Sequence, residues 1–236
     1  MRFRLAITSL CLVLLFSACR KDSGGSQTRL VKDVLINNSG CQISYTYDSI
    51  SRLVSVTQCD TIETYVYSYS TVTYKKVSAG ILLYQNVYNL NKSGLAISYS
   101  RYGGDGSLAT YLLQYNADGY LLSVIDTTHP YTSDYFTINN RDVIAEASTS
   151  SVTNDANYSI TSIFYSNTKN TLSNENFGLI FLGKSSANFV KTLSYDSPTG
   201  QYAVTFTYLL DNQNGVSQRV SKTNGVVTDS RTYDYY

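Results

Sequence analysis

From residue 29 onward the chain reads as short stretches of alternating apolar and polar residues separated by small polar turns. Period-two alternation puts successive side chains on opposite faces of a strand. No stretch carries a sustained helical stripe; the best helix candidate is Asn176-Phe177-Gly178-Leu179-Ile180-Phe181-Leu182. The alternation is broken by a recurring punctuation. Tyr47-Asp48-Ser49-Ile50-Ser51-Arg52-Leu53 is one copy, and Tyr115-Asn116-Ala117-Asp118-Gly119-Tyr120-Leu121 is a second in the same register. Looser copies, read with turns one residue longer, begin at Tyr195-Asp196 and at Asp211. Tyr88-Asn89-Leu90-Asn91-Lys92-Ser93-Gly94-Leu95 belongs with them. In each, Asp or Asn opens a turn by accepting a backbone N–H, and Gly usually supplies the left-handed position of a bulged hairpin. The pattern predicts one all-β meander of consecutive hairpins over 29–236, with at most one short helix near 176–187.

The first 28 residues follow different rules. Arg2 and Arg4 precede an apolar run from Leu5 to Phe16, too short to cross about 30 Å of hydrocarbon. Phe16-Ser17-Ala18-Cys19 then places small residues before a cysteine, as at a secretory cleavage site. This resembles a lipobox, although Phe16 stands where Leu is usual. The reading makes 1–18 a lipoprotein signal peptide, Cys19 the lipidated first residue of the mature chain, and 19–28 a flexible Ser/Gly-rich tether.

Register follows from the first clean hairpin. If Asp48 pairs with Arg52, then Tyr47 faces Leu53, Ile43 faces Thr57 and Cys41 faces Cys59. The odd-numbered face (Cys41, Ile43, Tyr45, Tyr47, Leu53, Cys59) is predicted to meet the core, though Val54 and Val56 break the pattern on the other face. The second copy gives Tyr111, Leu113, Tyr115, Leu121 and Ile125. With Cys11 removed and Cys19 acylated, Cys41 and Cys59 are left as a pair. A non-hydrogen-bonded pair sits about 4.5 Å apart at Cα, within disulfide range, and an exported protein meets oxidising conditions.

Composition reinforces the β reading: 23 Tyr, two Pro and no Trp, a set suited to pleated surfaces. A net charge of +1 with no basic stripe argues against nucleic-acid binding. Two cysteines without a histidine nearby are too few for zinc. The single histidine, His129, sits beside Pro130 with no nucleophile motif, and most Asp residues occupy turn positions. No catalytic constellation and no cofactor site is visible, so an enzyme is not expected. Tyr65, Tyr67 and Tyr69 alternate along one strand; such a row serves either cross-strand packing or an exposed binding platform.

The hairpins resemble the Tyr-Asp repeats of RHS-type proteins, with Ser51 where that pattern has Gly. More of the chain resembles a Bacteroidetes lipoprotein family of unknown function with a porin-like fold. The match rests on Phe16–Asp22, the cysteine-flanked first hairpin, Phe177–Lys184, the Tyr208–Val216 hairpin and the Thr232–Tyr236 end. The resemblance implies a strongly curved sheet, an open or partial barrel, and no known activity. A spanning barrel is not expected, because neither face of Val226–Tyr236 is apolar enough to meet lipid. The expectation is a cell-envelope lipoprotein, anchored to the outer membrane by its N-terminal lipid. It would bind a glycan, peptide or partner protein, or alternatively serve as a structural subunit of an envelope complex with no ligand of its own.

Overall fold

The computed structural model describes residues 28–128, 132–150, 158–198 and 200–236. The signal segment 1–18, Cys19, the tether up to residue 27 and His129 lie outside the described residues. Sixteen strands follow one another: β1 (Val31–Ile36), β2 (Cys41–Tyr47), β3 (Leu53–Gln58), β4 (Thr61–Tyr67), β5 (Thr71–Ser78), β6 (Ile81–Leu90), β7 (Ala96–Gly103) and β8 (Leu108–Tyr115) form the first half. β9 (Leu121–Asp126), β10 (Thr132–Asn139), β11 (Asp142–Ser150), β12 (Tyr158–Lys169), β13 (Asn188–Ser197), β14 (Gly200–Leu210), β15 (Val216–Thr223) and β16 (Val226–Tyr235) form the second. Each strand pairs antiparallel with the next, and β16 pairs back onto β1. The expected open or partial barrel is therefore corrected to a closed one. Closure satisfies the two edges that a meander would otherwise leave unpaired. The expected short helix is a single 3₁₀ turn, Ile180–Leu182.

The barrel has two unlike ends. β1 starts and β16 finishes at one end, here the base, and the Asx-headed turns cluster there too. Asp48, Asn91, Asn116 and Asp211 each accept two backbone N–H groups with Oδ1, two and four residues on. The fourth turn residue is left-handed in all four: Ser51 (φ 68°), Gly94 (80°), Gly119 (87°) and Asn214 (61°). The Asp211 turn thus has the same length as the others, with Asn214 rather than Gly215 in the strained position. The Tyr195 copy is different: Ser197 pairs directly with Gly200 at the opposite end.

A bulge follows the turn in each of these four hairpins. It corrects the predicted register by one residue. Tyr47 faces Leu53 as expected, but Ile43 faces Gln58 and Tyr45 faces Val56. Past the bulge the parity flips, so Val56 is buried and Val54 exposed. The same shift in the second copy turns Val124 and Asp126 inward opposite Leu113 and Tyr111, and Ile125, expected in the core, faces out. Elsewhere the inward parity holds: Ile43 and Leu53 are buried, with Tyr45 and Tyr47 packed against their cluster.

Sixteen strands enclose a lumen too wide for wall side chains alone to fill. Here the 170–187 connection between β12 and β13 folds back into the base as a plug. Phe177 packs against Tyr45, and Phe181 against Tyr67 and Tyr88, with ring centroids 5.1–6.2 Å apart. The plug is stitched to the rim by backbone bonds: Val31 N–H to Asn176 O, Leu53 N–H to Gly178 O, Lys184 N–H to Gly119 O and Ala187 N–H to Arg141 O. Two glycines make the close approach feasible. A Cβ on Gly178 would lie 2.7 Å from Leu53 N, and one on Gly183 2.7 Å from Gly119 O. Val31, Leu53, Val72, Ala96 and Val216, the first or second residues of strands rising from the base, are consequently fully buried.

Candidate functional site

Above the plug the lumen changes character. Nearer the opposite end, the mouth, the inward face includes ion pairs that retain partial exposure although they face inside. Lys76 pairs with Glu63 at 3.0 Å. Across β15 and β16, Arg219 and Arg231 share the Asp229 carboxylate at 3.0 and 2.8 Å. These groups are about one-quarter to one-third exposed, so solvent reaches the lumen from the mouth. The molecule is a cup with a sealed apolar base and a wet interior.

One part of the lumen is not filled. Tyr88, Tyr99, Leu113, Leu121, Val124, Phe136, Val143 and the plug residues Asn174, Leu182 and Lys184 line a cavity of about 370 Å³. That volume lies within the roughly 300–1,000 Å³ usual for small-molecule sites. One inward step closer to the mouth, the same strands β7 to β11 present Arg101, Tyr111, Asp126, Asp134 and Glu146. Pairing aligns them: Tyr99 with Tyr111, Tyr111 with Asp126, and Phe136 with Glu146. Tyr99 and Tyr111 stack at 4.5 Å, Arg101 covers the Tyr84 ring at 4.1 Å, and Glu146 accepts the Tyr158 hydroxyl at 2.9 Å. An apolar floor thus lies beneath a partial ring of charged and aromatic side chains.

The residues singled out in the sequence are distributed differently. Cys41 and Cys59 form a disulfide, with Cα atoms 6.1 Å apart. They are not directly paired on the ladder as expected, because the bulge shifts the register. Cys59 instead sits in the β3–β4 turn with φ 52°, which brings its side chain within reach. Tyr65 and Tyr67 are half-buried and face inward, Tyr65 against Tyr74 at 4.9 Å. Tyr69 lies beyond β4 in a turn and is fully exposed. The three do not form a common exposed platform; the aromatics line the interior. Tyr47, Tyr165, Tyr208 and Tyr235 donate their hydroxyls to backbone carbonyls, which lets a ring be buried without an orphaned polar tip. Arg101, Asp134 and Glu146 gave no signal in the sequence, because their inward parity depends on registers set by bulges.

The buried tyrosines make stability sensitive to alkali. Burial pushes Tyr45, Tyr67, Tyr115 and Tyr208 up to about 12; Tyr65 and Tyr74 are raised further. Tyrosines of the unfolded chain ionise near pH 10. Their contribution to stability is complete below about pH 10 and is lost as pH rises through the folded values. The share of tyrosinate absorbance that belongs to the buried rings is expected to appear in a cooperative step above about pH 10, together with loss of β circular dichroism. Complete ionisation of the tyrosines in a gradual rise with the fold intact contradicts this.

No family model matches the chain, and no curated protein matches it. Solved structures do. A porin-like protein from Bacteroides uniformis aligns with TM-score 0.65 at 19% identity, covering 89% of this chain and 96% of that one. A second porin-like protein, from Bacteroides vulgatus, aligns with TM-score 0.59 at 12% identity, covering 88% and 99%. At these identities the likeness extends to the fold alone.

Proposed function

We propose that this is a cell-envelope binding protein that takes a small ligand inside its barrel. The observation that carries the reading is the cavity of about 370 Å³ above a sealed base and below a charged ring. Protein interiors pack to high density, and an unfilled apolar space forfeits contacts that a purely structural barrel would keep. The porin-like neighbours support an envelope setting, and the signal-like N-terminus with Cys19 supports a lipid tether. The chain enters β1 at the base, the end opposite the mouth.

The barrel itself stands outside the membrane in this reading. Its outward face carries hydroxyl and amide ladders (Asp33 with Gln42 and Ser44, Thr46 with Ser55, Asn89 with Ser98, and Asn37 with Ser230) interspersed with exposed apolar residues such as Leu35, Val66, Ile97, Ile163 and Leu209. A spanning barrel needs an apolar band about 25 Å tall there.

The test is calorimetric titration of the folded protein with oligosaccharides, short peptides and amphiphiles, repeated on Leu113→Trp, which narrows the cavity at its wall. At least one class is expected to bind the wild type and to lose binding in the variant. Binding of none, or binding indifferent to Leu113→Trp, overturns the reading. An accessory-subunit role has one observation in its favour. Ile81, Leu82, Leu83, Tyr102 and Leu108 are exposed on two adjoining hairpins at the mouth, joined by Gly104 N–H to Leu83 O.

A further inference from the structure

Charges of both signs stand above the cavity: Arg101 on β7, and Asp134 and Glu146 on β10 and β11. Asp134 pairs across the ladder with Val124 and stands two residues from Phe136, both walls of the cavity, and its charge acts on Tyr99, Tyr111 and Tyr158. Two polar atoms in the neighbouring layer have no hydrogen-bond partner among the described residues: Arg101 Nε, a donor, and Asn86 Oδ1, an acceptor. Asn86 is only 6% exposed and pairs with Arg101 across β6 and β7. Its Nδ2 donates to the hydroxyl of Tyr88, itself a wall of the cavity. Orphaned buried groups are costly, and this pair calls for a guest carrying both an acceptor and a donor.

Resting on the lumen reading above, we infer that the guest is a short apolar peptide with both termini free. Its C-terminal carboxylate meets Arg101, its N-terminal ammonium meets Asp134 and Glu146, and its side chains lie among Leu113, Val124 and Phe136. Charge separates this from the alternatives. A simple fatty acid brings its anion to the Asp134 and Glu146 carboxylates. A simple amine leaves the guanidinium unmatched. A neutral saccharide can stack a C–H face on the rings of the floor but matches neither charge. A zwitterion with apolar side chains satisfies all three demands.

The test uses leucyl-leucine, N-acetyl-leucinamide, hexylamine and hexanoate, titrated calorimetrically into the folded protein. The dipeptide is expected to bind, and each of the other three to bind roughly tenfold more weakly or worse, the scale of losing a hydrogen bond to a charged group. Asp134→Asn and Arg101→Gln are each expected to weaken the dipeptide by a similar factor while leaving the circular dichroism unchanged. If either variant misfolds, the blocked and half-ligand comparisons on the wild type decide alone. Equal affinity for leucyl-leucine and N-acetyl-leucinamide, or for leucyl-leucine and hexylamine, overturns the inference. If a saccharide or amphiphile binds in a Leu113→Trp-sensitive way and the dipeptide does not, the lumen reading stands and this one fails. If nothing binds, both fail.

Discussion

Phe181→Ala is expected to lower the unfolding free energy by about 3–5 kcal/mol, the usual cost of emptying a buried aromatic site. Phe181 is buried in the second core cluster with Val72, Ala96 and Leu113, and it packs against the rings of Tyr67 and Tyr88. Its neighbours belong to separate strands of a closed wall, which cannot collapse inward to refill the space. The loss should therefore sit near the upper end of the range. Phe181→Leu keeps most of the volume and is expected to cost under about 1.5 kcal/mol. Urea unfolding followed by circular dichroism measures both. A loss below about 1 kcal/mol for Phe181→Ala would mean that the plug contributes little to the base, against the packing described.

The second large effect belongs to the disulfide. Cys41 and Cys59 are 18 residues apart, and closing a loop of that length in the unfolded chain contributes on the order of 3 kcal/mol in the chain-entropy model. Replacing both with Ala, or adding a reductant, is expected to lower the urea midpoint by a matching amount with the slope little changed. The bond spans the β2–β4 segment at the mouth, far from the plug, so this loss and that of Phe181→Ala should add. A wild type indifferent to reductant contradicts the expectation.

How much of this was legible in the sequence can be traced residue by residue. The hairpins were, because Asp48, Asn91 and Asn116 encode their turns locally through one side-chain oxygen. The disulfide was too, since Cys41 opens β2 and Cys59 directly follows β3, the two strands of one hairpin. The bulges were only hinted at: Val54 and Val56 could not both be reconciled with a straight register, and the extra residue after the turn is what separates them. Closure was hidden. Tyr233 lies opposite Val34, a contact between the two extremes of the chain that leaves no periodic trace. The plug was half visible, as an apolar stretch around Phe177 to Leu182 whose destination inside the barrel depends on Gly178 and Gly183 fitting against turns distant in sequence. The charged ring was invisible for a related reason. Arg101, Asp134 and Glu146 share a wall only once three hairpins have fixed their registers, and nothing local distinguishes them from surface charges.

Because Tyr236 N–H bonds to Leu30 O at 3.1 Å, the two ends of the wall meet and the sheet is topologically a ring. A ring has no privileged starting point. Joining Tyr236 to Leu30 through a short linker and opening the β5–β6 turn at Ala79-Gly80 would preserve every strand neighbour while changing which pairing is long-range. In the natural order, β1 must wait for β16, so the seam is the last part of the wall that can zip. In the permuted order that seam becomes a local hairpin, and the slow, long-range closure moves to β5 and β6. The fold would be the same and its assembly sequence different.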